Sequence, residues 1–174
     1  MRPLDIVKSA SGINVEIGNT DAEGRLILAD SLYHASISKQ SDLIIDLATL
    51  TGAARVALGT ELPAIFSNNK LISKKIIDLG EDCEDPLWEL PLHNSYNSSL
   101  DLNVDLISNV GSSSYGGAIT AALFLSRFIK NKTNWVHIDL MGWNSISKPG
   151  RPKGGEAMTL RTLFEYISRE FKKY

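Results

Sequence analysis

Apolar and polar residues alternate along the chain with two different periods, which predict strands and helices in turn. Residues 4–9 and 13–17 follow the period of two that is typical of half-buried strands, and they predict a hairpin around Ser11-Gly12. Residues 43–48 are apolar almost throughout, which predicts a central, parallel strand covered on both faces. Further strands are predicted at residues 62–66 and 135–140.

Apolar positions spaced three and four residues apart predict helices between these strands. The helices cover about residues 24–38, 53–58, 69–81, 118–130 and 157–172. The first of them has little polar surface and is expected to be buried on most sides. The third and the last carry apolar stripes, formed by Leu71, Ile72, Ile76 and Leu79 and by Leu160, Leu163, Phe164, Ile167 and Phe171.

Strands that alternate with helices indicate the α/β class. We expect a mixed, largely parallel sheet flanked by helices in three layers (α/β/α), within a single domain of residues 1–174. The pattern weakens from residue 82 to 110, where alternation between Leu100 and Leu106 suggests one short strand. Because strand-like sequence begins at residue 4, we expect a fragment of a longer chain, with the fold truncated at its N-terminal side.

Charge and composition exclude several classes of function. The chain has 18 Lys and Arg against 20 Asp and Glu, a net charge of −2, which gives no electrostatic basis for binding nucleic acid or an anionic membrane. Its apolar runs are too short to span a bilayer. The single Cys83 allows no internal disulfide, and without a signal-like start this favours a cytoplasmic location.

Residues 19–26 (Asn-Thr-Asp-Ala-Glu-Gly-Arg-Leu) concentrate charged groups between a predicted strand and the first helix. One interpretation is structural, because Thr20 followed by Glu23 is the pattern of a capping box at a helix start. The other is functional, because Asp21, Glu23 and Arg25 share a face in an extended segment. Two carboxylates suit Mg, Mn or Zn, and a guanidinium beside them suits a bound anion.

Other polar residues have structural interpretations of comparable or greater weight. His34, His93 and His137 lack the spacing of metal-binding motifs, and His137 falls in a predicted core strand. Asp46 lies within an apolar strand, either as a paired core carboxylate or facing a site at the strand's end. Residues 112–117 precede a helix and could bind phosphate, but they lack the ending of a P-loop, so close packing is favoured.

The 19–26 segment resembles the signature of the leucine aminopeptidase (cytosol aminopeptidase) family residue for residue. Further blocks resemble that family in the same order along the chain. They are Met1-Arg2-Pro3 with Asp5, residues 48–53 (Ala-Thr-Leu-Thr-Gly-Ala), residues 116–122 (Gly-Gly-Ala-Ile-Thr-Ala-Ala) and residues 137–140 (His-Ile-Asp-Leu). Residues 143–157 resemble a bacterial branch of the family. The likeness covers essentially the whole chain and implies the C-terminal portion of the catalytic domain.

The resemblance implies a dinuclear metallopeptidase that removes N-terminal, leucine-type residues from peptides. Asp21 and Glu23 would be ligands of Mn or Zn, with Glu23 bridging the two ions, and Arg25 would hold a bicarbonate that acts as general base. The ions would activate water and polarise the scissile carbonyl. By the same resemblance, the substrate-binding residues are Thr49, Leu50, Thr51 and Gly52. Family members form hexamers, so we expect a homo-oligomer.

The resemblance also implies that part of the site lies elsewhere. In the family, a lysine and two aspartates that complete the metal site precede the block that Met1-Arg2-Pro3 resembles, as does a second lysine that stabilises the transition state. This sequence contains no substitute for them. We therefore expect weak or absent metal binding by this chain alone. The alternative function is a catalytically inactive fragment, or a scaffold module that assembles with a separately encoded N-terminal piece.

Overall fold

The computed structural model describes residues 1–38, 41–130 and 132–171, in which short strands and helices alternate as predicted. The strands are β1 (Ile6–Lys8), β2 (Asn14–Glu16), β3 (Leu43–Ala48), β4 (Ala64–Ser67), β5 (Trp88–Glu89), β6 (Asp101–Asn103), β7 (Leu106–Ser108), β8 (Asn134–Asp139), β9 (Trp143–Asn144) and β10 (Gly154–Gly155). The helices are α1 (Glu23–Ile37), α2 (Gly52–Leu58), α3 (Lys70–Asp82), α4 (Gly117–Ser126) and α5 (Leu160–Glu170), with a 3₁₀ helix at Asn94–Leu100. Within the described residues, no helix is long and apolar enough to cross a membrane. Residue 172, which the pattern assigns to the last helix, lies outside the described residues.

The main sheet has the strand order β3-β8-β4-β5. β3 runs parallel to β8, with Asp46 opposite His137, and β4 runs parallel to β5. β8 and β4 are antiparallel, with Ile138 opposite Ile65. The sheet is therefore mixed and largely parallel, which confirms the sequence prediction.

Helices cover both faces of this sheet. On one face, Trp135 of β8 and Ile44 of β3 pack with residues of α1 and α4, including the fully buried Phe124. On the other face, Val136 of β8 packs with α3 and with Tyr166 of α5. Successive residues of a strand point to opposite faces, so the apolar residues of β8 contribute to both cores. The predicted three-layer α/β/α arrangement is confirmed.

A smaller sheet, in the order β1-β2-β7-β6, holds the segment that leads into α1. The predicted hairpin is present, with Val7 of β1 opposite Val15 of β2. β2 also pairs in parallel with β7. The prediction of a single strand between Leu100 and Leu106 is wrong, because two short antiparallel strands, β6 and β7, form there instead.

Several predictions of burial are wrong. β3 lies at an edge of the main sheet in the described part of the chain, not at its centre. α1 is not buried on most sides, because Ile27 and Ile37 are exposed and only one stripe of the helix faces the core. Leu71 is exposed because it lies in the first turn of α3, ahead of the residues that contact the sheet. An apolar pattern records a preference for burial and does not say what covers each residue.

Candidate active site

A cleft of about 380 Å³ lies where the carboxyl end of β3 meets the start of α1. Its lining residues are Asp21, Ala22, Glu23, Gly24, Arg25, Ala48, Thr49, Leu50, Gly52 and Arg55. The structure thus brings the acidic signature and the segment after β3 into one cleft, although they are separate in the sequence. Arg55 is an addition that the sequence analysis missed, and no motif in the sequence marks it.

The acidic segment reaches this cleft through a tight turn, not through the extended conformation that the sequence suggested. The side-chain oxygen of Asn19 accepts a hydrogen bond of 2.9 Å from the backbone N–H of Asp21, and α1 begins at Glu23. Ala22 occupies the N-cap position, and no side chain caps the helix there. The capping-box interpretation of Thr20 and Glu23 is therefore wrong, and the Glu23 carboxylate has no capping role.

Arg25 is only 8% exposed, which is unusual for a guanidinium group. Its Nη1 donates a hydrogen bond of 2.6 Å to the backbone oxygen of Asn109, while its buried Nε has no partner among the described residues. Burial lowers the pKa of Arg25 to about 10, against the opposing effect of the Asp139 charge. The guanidinium therefore stays charged at neutral pH, and it has hydrogen-bonding capacity that the protein does not use.

Asn109 is a fully buried residue that holds the turn in place, and the sequence analysis did not single it out. Its Oδ1 accepts hydrogen bonds from the backbone N–H groups of Gly18 (2.8 Å) and Asn19 (3.1 Å). Its Nδ2 donates to the backbone oxygen of Asn19 (2.7 Å). Glycine is required at position 18, because a Cβ there would lie 2.7 Å from a methyl carbon of Val110. Asn109 thus fixes both the turn and, through its own carbonyl, the Arg25 side chain.

Replacing Asn109 by alanine is expected to lower the free energy of unfolding by about 2–4 kcal/mol, because three backbone groups of the turn lose the partner that the buried amide supplies. The matched control is Asn103→Ala, which removes one hydrogen bond, to the backbone N–H of Asp105, at an exposed position. That control should cost less than about 1 kcal/mol. Chemical denaturation measures both values, and equal losses in the two variants would contradict the role assigned to Asn109.

The segment after β3 is held by Asp139, a second buried residue that the sequence analysis did not single out. Its Oδ1 accepts hydrogen bonds from the backbone N–H groups of Leu50 (3.0 Å) and Thr51 (3.2 Å). Its Oδ2 accepts a bond of 2.6 Å from the Thr51 hydroxyl, which itself accepts from the N–H of Ala54 and caps α2. The Thr51 side chain therefore supports this segment, while the neighbouring residues line the cleft.

Replacing Thr51 by valine is expected to lower the free energy of unfolding by about 2 kcal/mol, because α2 loses its cap and Asp139 loses a donor. Thr51→Ser retains the hydroxyl and is the matched control. Amide hydrogen exchange at Ala54 should accelerate in the valine variant and stay near the parent rate in the serine variant. Equal protection of Ala54 in both variants would show that the hydroxyl does not hold this segment.

Other candidate residues have structural roles in the described part of the chain. The Oδ2 of Asp46 accepts a hydrogen bond of 2.7 Å from Nε1 of Trp135, and its Oδ1 lies 2.6 Å from Nδ1 of His137. Of the two interpretations of Asp46, the paired core carboxylate is therefore confirmed. Gly117 packs closely on α2, because a Cβ there would lie 3.1 Å from the Cβ of Ala53. This contact supports packing, not phosphate binding, at the start of α4.

The cleft offers two carboxylates to a metal ion. Asp21 and Glu23 are exposed, and their side chains form no hydrogen bond or ion pair within the described part of the chain. Their oxygens suit a hard divalent cation. Over residues 1–38, 41–130 and 132–171, however, no three His, Cys, Asp or Glu side chains are grouped to hold a metal. The two carboxylates therefore fit such an ion, with no third ligand of these four residue types grouped beside them in the described ranges.

The fold and the cleft define a three-layer α/β protein with a carboxylate and arginine site at the end of an edge strand. The model of the cytosol aminopeptidase family catalytic domain matches residues 1–164. The probable cytosol aminopeptidase of Prochlorococcus marinus is 46% identical over 171 residues, which are 97% of this chain and 34% of that protein. The one from Nitratidesulfovibrio vulgaris is 45% identical over 169 residues, 96% of this chain and 33% of that protein. The chain belongs to the cytosol aminopeptidase family.

Solved structures agree with this assignment. The cytosol aminopeptidase from Coxiella burnetii matches with a TM-score of 0.93 and 46% identity, over 99% of this chain and 37% of that one. The bottromycin maturation enzyme BotP, solved in complex with Mn, matches with a TM-score of 0.90 and 34% identity, over 97% of this chain and 38% of that one. The chain thus spans about a third of the length of the curated relatives it matches.

Proposed function

We propose that this chain forms part of a metal-dependent aminopeptidase that removes N-terminal, leucine-type residues from peptides. The observation that carries the proposal is the single cleft shared by Asp21, Glu23, Arg25 and the segment after β3. Membership in the cytosol aminopeptidase family supports the assignment of the reaction. Residues 1–174 would form a single domain, the C-terminal portion of the catalytic domain, and act in the cytoplasm.

Asp21 and Glu23 are proposed as ligands of two divalent ions, Mn or Zn, with Glu23 bridging them. Carboxylate oxygens suit such ions, and the relative BotP has been solved in complex with Mn. When bound, the ions would activate water and polarise the scissile carbonyl. The chain presents both carboxylates at the start of α1, where the helix dipole offsets part of their mutual repulsion.

Arg25 is proposed to hold an anionic general base, such as bicarbonate, beside the scissile bond. Its guanidinium remains charged at neutral pH, because burial lowers its pKa only to about 10. A guanidinium fixed by its bond to the backbone of Asn109 can orient a planar anion through paired donors. The anion would take the proton of the attacking water, and its fixed position would raise its effective concentration.

The peptide main chain is proposed to lie along the segment that follows β3. The residues concerned are Thr49, Leu50, Thr51 and Gly52. Asp139 holds this backbone through bonds to two N–H groups and one hydroxyl, so its geometry is set before a peptide arrives. Gly52 is exposed and has no side chain, which allows a substrate backbone to approach closely.

A second function is favoured by the incomplete donor set. The cleft contains two free carboxylates, so metal binding by this chain alone is expected to be weak or absent. The chain would then act as a catalytically inactive scaffold module that assembles with a separate N-terminal piece. Under either function we propose a homo-oligomer, with the hexamer as the expected state.

A chimera tests the proposed function, with residues 1–174 in place of the matching part of the Coxiella burnetii relative. We expect the chimera to hydrolyse a leucine anilide when loaded with Mn or Zn, and the chain alone to lack normal turnover. A folded chimera without activity would contradict the aminopeptidase function and favour the scaffold. Normal turnover by the metal-loaded chain alone would show that its site is complete.

A further inference from the structure

Among the described residues, Arg55 is the one charged residue that lines the candidate active-site cleft without a role in the proposed function. Four charged side chains line the cleft, and Asp21, Glu23 and Arg25 are assigned to the metal ions and to the bound base. Arg55 lies in α2 and is half-buried. A guanidinium that is partly withdrawn from water usually has a carboxylate, a backbone carbonyl or a ligand as its partner.

Arg55 has no partner of this kind within the described part of the chain. Its guanidinium forms no hydrogen bond and no ion pair there. The acidic residues nearest to it in the sequence are already engaged, Asp46 with His137 and Glu61 with Lys148. The N–H donors of Arg55 therefore remain available to a bound anion.

A structural role at the end of α2 does not explain where this guanidinium lies. Cations in the last turn of a helix can stabilise its terminal carbonyl groups. Arg55 belongs to the last turn of α2, but a Cβ added to Gly52, the first residue of the helix, would lie 3.9 Å from Nη2 of Arg55. Side chains of a helix are tilted toward its N-terminus, and Arg55 follows that direction. The guanidinium thus lies beside the cleft and not at the carbonyl end of α2.

The proposed course of the substrate indicates which anion Arg55 would meet. The metal ions assigned to Asp21 and Glu23 fix the scissile bond, and the peptide main chain is assigned to residues 49–52. Gly52 is the last of these residues, and Arg55 lies beside it. The part of the peptide that follows the scissile bond can therefore reach the guanidinium. A cleft of about 380 Å³ is near the lower end of the range for ligand sites, about 300–1,000 Å³, which favours a short peptide that ends inside it.

We propose that Arg55 selects short peptides by binding a carboxylate that follows the scissile bond, and this inference rests on the proposed function. The carboxylate is either the free C-terminus of the peptide or an acidic side chain of its second residue. A guanidinium suits either group, because its planar pair of donors matches the two oxygens. The contact is the same before and during the reaction, so it lowers KM and leaves kcat nearly unchanged.

Binding can be measured without turnover, on residues 1–174 freed of metal and chelator. Nuclear magnetic resonance follows the Arg55 Nε–H signal and the Gly52 amide as leucyl-alanine, leucyl-alanine amide or leucyl-aspartate α-amide is added. We expect at least one of the two carboxylate ligands to bind about tenfold more tightly than leucyl-alanine amide, and Arg55→Met to remove this difference. Equal affinities of the parent chain for all three ligands, or no shift of the Arg55 signal, would overturn the proposal.

Kinetics of the metal-loaded chimera test the same contact during turnover, with the same three peptides as substrates. Arg55→Met should reduce the preference for a carboxylate substrate over leucyl-alanine amide about tenfold in kcat/KM, through KM. Arg55→Lys should fall between, because it keeps the charge but loses the planar pair of donors. A loss confined to leucyl-alanine would identify the C-terminus, and one confined to leucyl-aspartate α-amide would identify the side chain. An equal loss for all three substrates would overturn the proposal.

Arg169→Met is the matched control, because Arg169 is an exposed arginine in the last turn of α5. It should leave the preference among the three substrates unchanged. Arg55→Met should still respond to bicarbonate, and loss of that response would overturn the proposal, because Arg55 would then hold the base. An active chimera without a carboxylate preference would overturn this inference and leave the proposed function standing. An inactive chimera together with carboxylate binding at Arg55 would contradict the proposed function alone.

Discussion

Replacing Arg25 by methionine in the chimera is expected to lower kcat for a leucine anilide by about 10² to 10⁴, the usual contribution of a general base. Methionine fills the buried volume but cannot hold an anion, so the proton acceptor would be lost from the cleft. KM should change little, because Arg25 is assigned to the base and not to the peptide. Steady-state kinetics with and without added bicarbonate measure the effect, and only the parent should respond to bicarbonate.

The control for this prediction is Arg169→Met, which removes an exposed guanidinium that pairs with Glu165 on α5. It should leave kcat unchanged. Arg25→Lys keeps a positive charge but loses the planar pair of donors, so it should fall between the parent and the methionine variant. A methionine variant that retains kcat within tenfold of the parent would contradict the role proposed for Arg25.

Replacing Glu23 by glutamine in the chimera is expected to reduce kcat/KM by about three orders of magnitude, or about 4 kcal/mol of transition-state stabilisation. The neutral amide is a poorer ligand for a hard divalent ion than the carboxylate, and a bridging ligand serves both ions at once. Metal content measured on the purified variant should fall together with the activity. The fold should be retained, because Glu23 is exposed and forms no cap.

Glu81→Gln is the control for the Glu23→Gln variant, since Glu81 is an exposed acidic residue of α3 that does not line the cleft. Its metal content and kcat/KM should match those of the parent. If the Glu23→Gln variant loses activity but keeps its full metal content, Glu23 acts in proton transfer and not in metal binding. Parent-like activity of the Glu23 variant would remove it from the site.

The apolar pattern predicts the strands and helices of this fold well, but not which of them pack against one another. Residues 43–48 are predicted as a parallel strand, and β3 does run parallel to β8. Its place at the edge of the sheet is not predictable from the sequence. An apolar run indicates that both faces of a strand are buried, but it does not indicate which strands pair with its two edges. The stripe of α5 is correct as a pattern, yet Phe164 is exposed, because an apolar pattern does not say which of its residues the rest of the protein covers.

The candidate site likewise contains residues that the sequence predicts and residues that it does not. Asp21, Glu23 and Arg25 can be selected from sequence because they lie within one contiguous signature, although their roles remain proposals. Asn109 and Asp139 cannot, because they act on backbone groups 91 and 89 positions away in the sequence. A polar residue at the end of a strand is the only local signal for either, and many loops share it. Long-range hydrogen bonds to backbone have no pattern that a single sequence displays.

Calorimetric titration of Mn²⁺ into residues 1–174 and into the chimera measures whether this chain carries part of a dinuclear site. We expect at most one site in the chain alone, with a dissociation constant weaker than about 10⁻⁴ M. This site should vanish in the Asp21→Asn, Glu23→Gln double variant, and the chimera should show two tight sites. Two tight sites in the chain alone would show that its site is complete, and weak binding that survives the double variant would show that Asp21 and Glu23 are not the ligands.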